Sequence, residues 1–316
     1  MMMAALMGGM GAPHRPVLLE ETVDLLDAAQ GGLFVDGTLG LGGHSEAILD
    51  ASPNTRVIGI DRDPEALERA RRRLERFGAR FVAMRGNFKQ IAELVPEKAQ
   101  GVLVDLGVSS LQFDTPERGF SFRFDAPLDM RMDASSEEET AADLLATLPE
   151  EEIARIIFEY GEERQSRKIA RWIVERRERG EPITTTGELA NLVARAVGGK
   201  GKWQIHPATR TFQALRMAVN AELQGLSEFV EEAVGLLLQG GRFAAISFHS
   251  LEDRIIKQGF RWLAGQCTCP PRVPVCSCGA KKVVDILTRR PIVAGEQEVN
   301  ENPRARSAKL RVCQKI

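Results

Sequence analysis

Three acids, each ending a short apolar run, are the residues best placed to do chemistry. Asp36 follows Leu33-Phe34-Val35, Asp61 follows Val57-Ile58-Gly59-Ile60, and Asp105 follows Val102-Leu103-Val104. Asp36 opens the turn Asp36-Gly-Thr-Leu-Gly-Leu-Gly-Gly-His44, whose glycines let the main chain approach a nucleoside and whose following helix offers exposed amides. Asp61 falls 19 residues beyond Gly42, where a carboxylate can accept hydrogen bonds from both hydroxyls of a ribose. That spacing serves a hydride-carrying NAD(P) enzyme and a methyl-donor enzyme equally well. The flanking acids separate the two. Asp36 meets a cationic amino group favourably and a pyrophosphate unfavourably, and Asp105 adds a third carboxylate at the same edge. The set points to S-adenosylmethionine, a cation without phosphate.

The elements that must hold these acids are legible in the pattern. Apolar runs ending at Asp36, Asp61, Met84 and Asp105 alternate with helical stretches, and Asp63-Pro64 supplies an N-cap and a first-turn proline for the second helix. A short helix is expected over 88–95. Such alternation implies a parallel sheet covered on both faces. From about Gln112 to Gln213 helical spacing takes over, with Ile153, Ile156, Ile157 and Tyr160 on one face and Thr186 as a cap. Alternation then resumes, with a helix over 229–238 stopped by Gly240-Gly241, a strand over 242–248, and two further runs at 283–287 and 308–312. The expected architecture is an α/β fold with a Rossmann-like sheet of the class I methyltransferase type and an inserted all-helical domain. Residues 14–114 and 214–316 would form the cofactor domain, 115–213 the insert that meets substrate, and 1–13 a flexible tail.

The chain has 316 residues, 43% of them hydrophobic, and a formal net charge of -2. No stretch reaches the roughly 18 consecutive apolar residues that span a membrane, so a soluble, cytoplasmic protein is expected. Near-neutrality means that any nucleic-acid surface must be local. Between Gly161 and Arg216 twelve cations face six carboxylates, a local balance of +6. Within it, Gly198-Gly-Lys-Gly-Lys-Trp203 combines Lys200 and Lys202, which can neutralise phosphate, with Trp203, which can stack on a base. Thr209, Arg210 and Gln213 on the next helix are expected to face the same cleft. Cys267, Cys269, Cys276 and Cys278 could give four thiolates to a structural zinc, or remain reduced thiols.

Several longer stretches carry a resemblance: the Asp36 to His44 turn, Asp105-Leu-Gly-Val-Ser-Ser110, Glu117-Arg-Gly-Phe-Ser-Phe122 and Pro127-Leu-Asp-Met-Arg-Met132. They continue with His206-Pro-Ala-Thr-Arg-Thr-Phe-Gln213, Ser247-Phe-His-Ser-Leu-Glu-Asp-Arg254 and Asn302-Pro-Arg-Ala-Arg-Ser307. In this order, from about Pro16 to the C-terminus, they closely resemble the bacterial RsmH (MraW) family. The resemblance implies methylation of N4 of a cytidine in the decoding region of 16S ribosomal RNA, within the small ribosomal subunit. It carries cofactor contacts over to Gly42, Gly43, His44, Asp61, Phe88, Asp105 and Gln112, and it leaves a homodimer open. Phe88 would pack on the adenine and Gln112 would bond near the methionine end; read without the family, the same two are a core phenylalanine and a loop glutamine.

Transfer to an exocyclic amine needs the nitrogen lone pair aimed at the sulfonium methyl and an acceptor for the proton released. Asp105 is the first choice for that acceptor and Ser109, in the turn after it, the second. Many amino-methyltransferases carry an Asp-Pro-Pro-Tyr type of sequence here, whereas this chain has Asp-Leu-Gly-Val-Ser-Ser. Methylation at C5 would need a cysteine nucleophile, and 105–112 contains none. The non-enzymatic alternative is a protein that binds RNA without catalysis.

Overall fold

The computed structural model describes residues 16–198, 206–267, 269 and 279–316. Lys200, Lys202, Trp203, Cys276, Cys278 and the 1–13 tail therefore lie outside the described residues. Seven strands form one sheet: β1 Gly32–Asp36, β2 Thr55–Asp61, β3 Phe81–Arg85, β4 Ala99–Asp105, β5 Leu237–Ser247, β6 Val284–Ile286 and β7 Lys309–Lys315. Their order is β3-β2-β1-β4-β5-β7-β6. The first five are parallel, and β7 runs antiparallel between β5 and β6. The Rossmann-like α/β expectation holds, including both C-terminal strands.

Because successive side chains of a strand face opposite ways, the central strands feed two cores at once. Val35, Val102, Val104, Phe243 and Ala245 enter one, while Phe34, Leu103, Ala244 and Ile246 enter the other. The first contains a ladder of edge-on aromatic pairs, Phe88–Phe229, Phe229–Phe243 and Phe243–Phe260, with ring centroids 4.7, 5.7 and 5.4 Å apart. A third, separate core draws on residues between Phe120 and Leu215 and is built from helices, chiefly Glu150–Gly161, Ser166–Glu178, Thr186–Val197 and Ala208–Val219. Its apolar spacing is the one read from the sequence.

Local expectations hold with three corrections. Asp63 caps the helix Pro64–Leu74, accepting from the Glu65 amide, with Pro64 in the first turn. Thr185, not Thr186, caps Thr186–Val197 through a reciprocal pair with Glu188, because the Thr186 hydroxyl is spent on the Phe124 carbonyl at 2.8 Å. The stretch over 88–95 divides into a 3₁₀ turn, Phe88–Gln90, and a single α-turn, Ile91–Leu94. Finally, the helix Leu226–Leu236 ends before Gly240-Gly241, which sits inside β5 at a register shift. A Cβ on Gly241 would come within 2.9 to 3.2 Å of three carbonyl oxygens, two of them on β4, so the glycine permits the bulge instead of stopping a helix.

Candidate active site

The carboxyl ends of β1, β2, β4 and β5 converge on one edge, the place where open α/β sheets bind ligands. Pairing puts Asp36 opposite Gly59 on β2 and Leu103 on β4, and puts Asp105 opposite Ile246. Three acids widely spaced in sequence thereby become neighbours. The turn between β1 and the helix Gly43–Ala51 keeps its shape through two left-handed residues, Gly40 (φ 50°) and Gly42 (φ 77°). A Cβ on Gly43 would lie 2.3 Å from Pro16 Cγ, so that glycine answers to packing of the N-terminal segment.

Each acid is held differently. Asp36 is 2% exposed, accepts the Ser45 hydroxyl at 2.7 Å and the Thr38 amide at 3.2 Å, and is pushed by burial up to about 6. Asp61 braces the glycine turn itself, accepting the Gly40 amide at 2.7 Å and the Asp63 amide at 2.9 Å, and burial raises it too to about 6. Asp105 is shifted furthest, well above the ordinary carboxylate range, first by burial and then by the charges of Asp36 and Glu252. Its Oδ1 is buried without a hydrogen-bond partner among the described residues, and its amide donates to Thr38 Oγ1 at 2.6 Å. An edge carrying this much repressed negative charge is prepared for a cation.

His44 is 6% exposed and donates from Nε2 to the Val17 carbonyl at 3.0 Å, which sets its tautomer and turns Nδ1 toward Asp105 Oδ2, 3.8 Å away. Phe88 is half-buried, backed edge-on by Phe229 and capped by Lys89 at 5.8 Å from its ring centroid. Ser109 and Gln112 form a reciprocal cap at the start of the helix Ser110–Asp114, and Gln112 Nε2 also donates to the Met132 carbonyl at 3.3 Å. Gln112 is thus a buried strut at 4% exposure. In the helical segment, Thr209 and Arg210 are exposed, whereas Gln213 is half-buried and donates to the Tyr160 carbonyl. Cys267 and Cys269 stay close, the Cys269 amide donating to Cys267 Sγ at 3.4 Å.

Two clusters at this edge escaped the sequence reading. The turn Met130–Met132 is pinned from three sides. Arg118 donates to the Arg131 and Met132 carbonyls and pairs with Asp63, Asn220 bonds Met130 and Met132, and Gln112 takes Met132. Beside Asp105, Arg216 grips Glu222 at 2.7 and 2.8 Å, and Glu222, Glu252 and His249 crowd within 4.8 Å. His249 caps the helix Ser250–Leu263 by accepting the Glu252 amide on Nδ1, which leaves the proton on Nε2. That atom lies 3.0 Å from Glu252 Oε1 without the alignment of a hydrogen bond. A signal for the cluster was present: His249 and Glu252 stand at capping-box spacing, and the Glu252 carboxylate also takes the Phe248 amide at 3.1 Å.

With this geometry in place, comparison with known proteins decides the lineage. The profile described as the MraW methylase family matches residues 11–316. This chain belongs to the MraW methylase family. It is similar to proteins named ribosomal RNA small subunit methyltransferase H. The one from Geobacter sulfurreducens is 55% identical over 310 residues, covering 96% of this chain and 99% of the relative. That from Geobacter sp. strain M21 is 54% identical over 310 residues, covering 96% and 98%. The Carboxydothermus hydrogenoformans protein is 49% identical over 307 residues, again covering 96% and 98%. The family match spans the whole seven-strand sheet and the helical segment alike.

Proposed function

We propose that this family member transfers the methyl group of S-adenosylmethionine to the exocyclic N4 of a cytidine in 16S ribosomal RNA, in the cytoplasm, on the small ribosomal subunit. One observation carries the cofactor half of this reading. Asp36, Asp61 and Asp105 share a buried edge in which every carboxyl is pushed upward, and a sulfonium with an ammonium group relieves all three where a pyrophosphate would worsen them. Asp61 takes the ribose, Phe88 and the Gly42-Gly43-His44 turn flank the nucleoside, and Asp36 faces the amino-acid end. The names of the relatives support the RNA half.

In this reading Asp105 accepts a proton from the amine, directly or through the Ser109 turn, and Gln112 positions that turn. The helical segment 115–213 is proposed as the substrate-recognition unit, with Lys200, Lys202 and Trp203 on the RNA beside Thr209, Arg210 and Gln213. Zinc on the four cysteines is no part of the reaction, since transfer to an amine needs no metal. No helix among the described residues is long and apolar enough to cross a membrane.

Labelled methyl transfer to unmethylated small subunits, followed by nucleoside analysis, tests the reading. N4-methylcytidine is the expected product. Label on another nucleoside removes the proposed acceptor, and tight binding without transfer returns the protein to an RNA binder. Reversing Lys200 and Lys202 to glutamate is expected to weaken RNA binding about tenfold or more at moderate salt, while cofactor affinity measured by calorimetry stays within about twofold. Equal loss of both would count against the two lysines as RNA contacts.

A further inference from the structure

A second cleft lies where the helical segment meets the helix Ser250–Leu263, lined by Phe158, Glu162, Arg164, Arg210, Leu251 and Arg254. Its walls are built by close packing. Gly161 lets its helix approach Ala208–Val219 so nearly that a Cβ there would come 2.6 Å from the Arg210 carbonyl oxygen. Glu162, the next residue, is left-handed at φ 50°, an uncommon backbone for a non-glycine. From there its carboxylate reaches the Ser250 hydroxyl at 3.2 Å and Arg254 at 3.9 Å, spanning the cleft, while its carbonyl takes Arg210.

Two features of this cleft are not those of a solvated helix face. Phe158 is 58% exposed, although its helix buries Ile153, Ile156 and Ile157 on the opposite side. Around it stand three guanidinium groups. They outnumber the two lining carboxylates, Glu159 and Glu162, which leaves the cleft cationic. One wall of the cleft is tied to the strand-end edge through the chain: Leu251 and Arg254 lie on the first turns of the helix that His249 caps, directly after β5. An aromatic face ringed by arginines suits a single-stranded nucleotide, its base on the ring and its phosphates on the guanidinium groups.

We infer that this cleft holds the unpaired RNA next to the target nucleotide, with a base stacked on Phe158 and the backbone phosphates contacted by Arg164, Arg210 and Arg254. The inference rests on the RNA reading above, and it assigns residues outside the Lys200 to Trp203 loop. The probe is a fluorescent single-stranded oligonucleotide of the decoding-region sequence, bound to the full chain with cofactor product present. Phe158→Ala should weaken binding by a factor between about 5 and 150, the range of one lost base stack. Phe158→Trp should restore it. Arg164→Gln should make the dependence of log affinity on log salt shallower by about 0.7, one phosphate contact on a single strand.

Wild-type affinity in Phe158→Ala overturns the proposal, as does a loss that tryptophan does not repair. Dependence on Phe158 with intact small subunits but not with the oligonucleotide assigns the cleft to a ribosomal protein and overturns it too. Should the oligonucleotide bind through Phe158 while methyl appears on a different atom, the cleft stands and only the cytidine-N4 reading falls.

Discussion

Asp105→Asn is expected to slow methyl transfer about 100- to 10,000-fold at saturating cofactor, the usual contribution of a positioned proton acceptor, while the protein remains folded. The reason lies in where the carboxylate sits. Burial, Asp36 and Glu252 all hold its proton on, so the group is a stronger base than an exposed aspartate. A bound sulfonium replaces part of that repulsion with attraction and favours the charged form. The pH profile follows in sign. Single-turnover rates should climb with pH along a limb placed above the ordinary carboxylate range, because the deprotonated acid is the active one. In Asp105→Asn the remaining slow rate should lose this limb. Near-normal turnover in the variant would remove Asp105 from the mechanism and move attention to the Ser109 turn.

Cofactor affinity should rise with pH and then level off. In the free protein Asp36 and Asp61 are both held up to about 6, above the ordinary carboxylate range, with burial the main cause. A cationic ligand lowers both, so binding expels the protons that remain. Dissociation constants measured by calorimetry should therefore fall between pH 5 and pH 7 and flatten above it. Asp36→Asn keeps the shape of the side chain but not its charge, and should weaken binding at pH 8 by about 30-fold or more, as expected for one partner of a buried charge pair. It should also make the pH dependence less steep.

Stability moves the other way. A carboxyl whose folded value is raised costs nothing below its unfolded value, and its penalty grows until pH passes the folded value near 6. The unliganded protein is then less stable at pH 8 than at pH 5 on account of these groups, and Asp36→Asn should melt no lower than wild type at pH 8. A variant that binds as tightly as wild type would show that Asp36 only braces Ser45 and Thr38. Loss of ligand affinity without loss of stability is the mark of a site that pays for function with strain.

Much of this protein is written locally. The alternation of apolar runs and helical stretches announces a parallel sheet, because strands buried on both faces must be apolar throughout. Asp63-Pro64 declares a helix start, and the glycine turn with its acids declares a nucleoside site, because those residue types have few other uses at strand ends. Resemblance of the later motifs supplied the family, which the near full-length match confirmed. Boundaries set by contacts distant in sequence were less legible. Gly240-Gly241 resembles a helix stop until β4 lies alongside, and Thr186 resembles a cap until the Phe124 carbonyl claims its hydroxyl.

The sequence by itself determined which residues stand at the strand ends and pointed to a cation as their ligand. Only the tertiary structure decided how strongly. Asp36 and Asp105 are neighbours because β1 pairs with β4, and Glu252 approaches them because β5 lies beyond β4; burial in this company is what raises the affinity of Asp36 and Asp105 for protons. The same folding turned Gln112 into a strut and brought Phe158 beside Arg254, although 96 residues separate the latter two in the chain. Local pattern reports what a residue can do, and a shared low-dielectric environment, which only packing creates, sets how much charge it will bear.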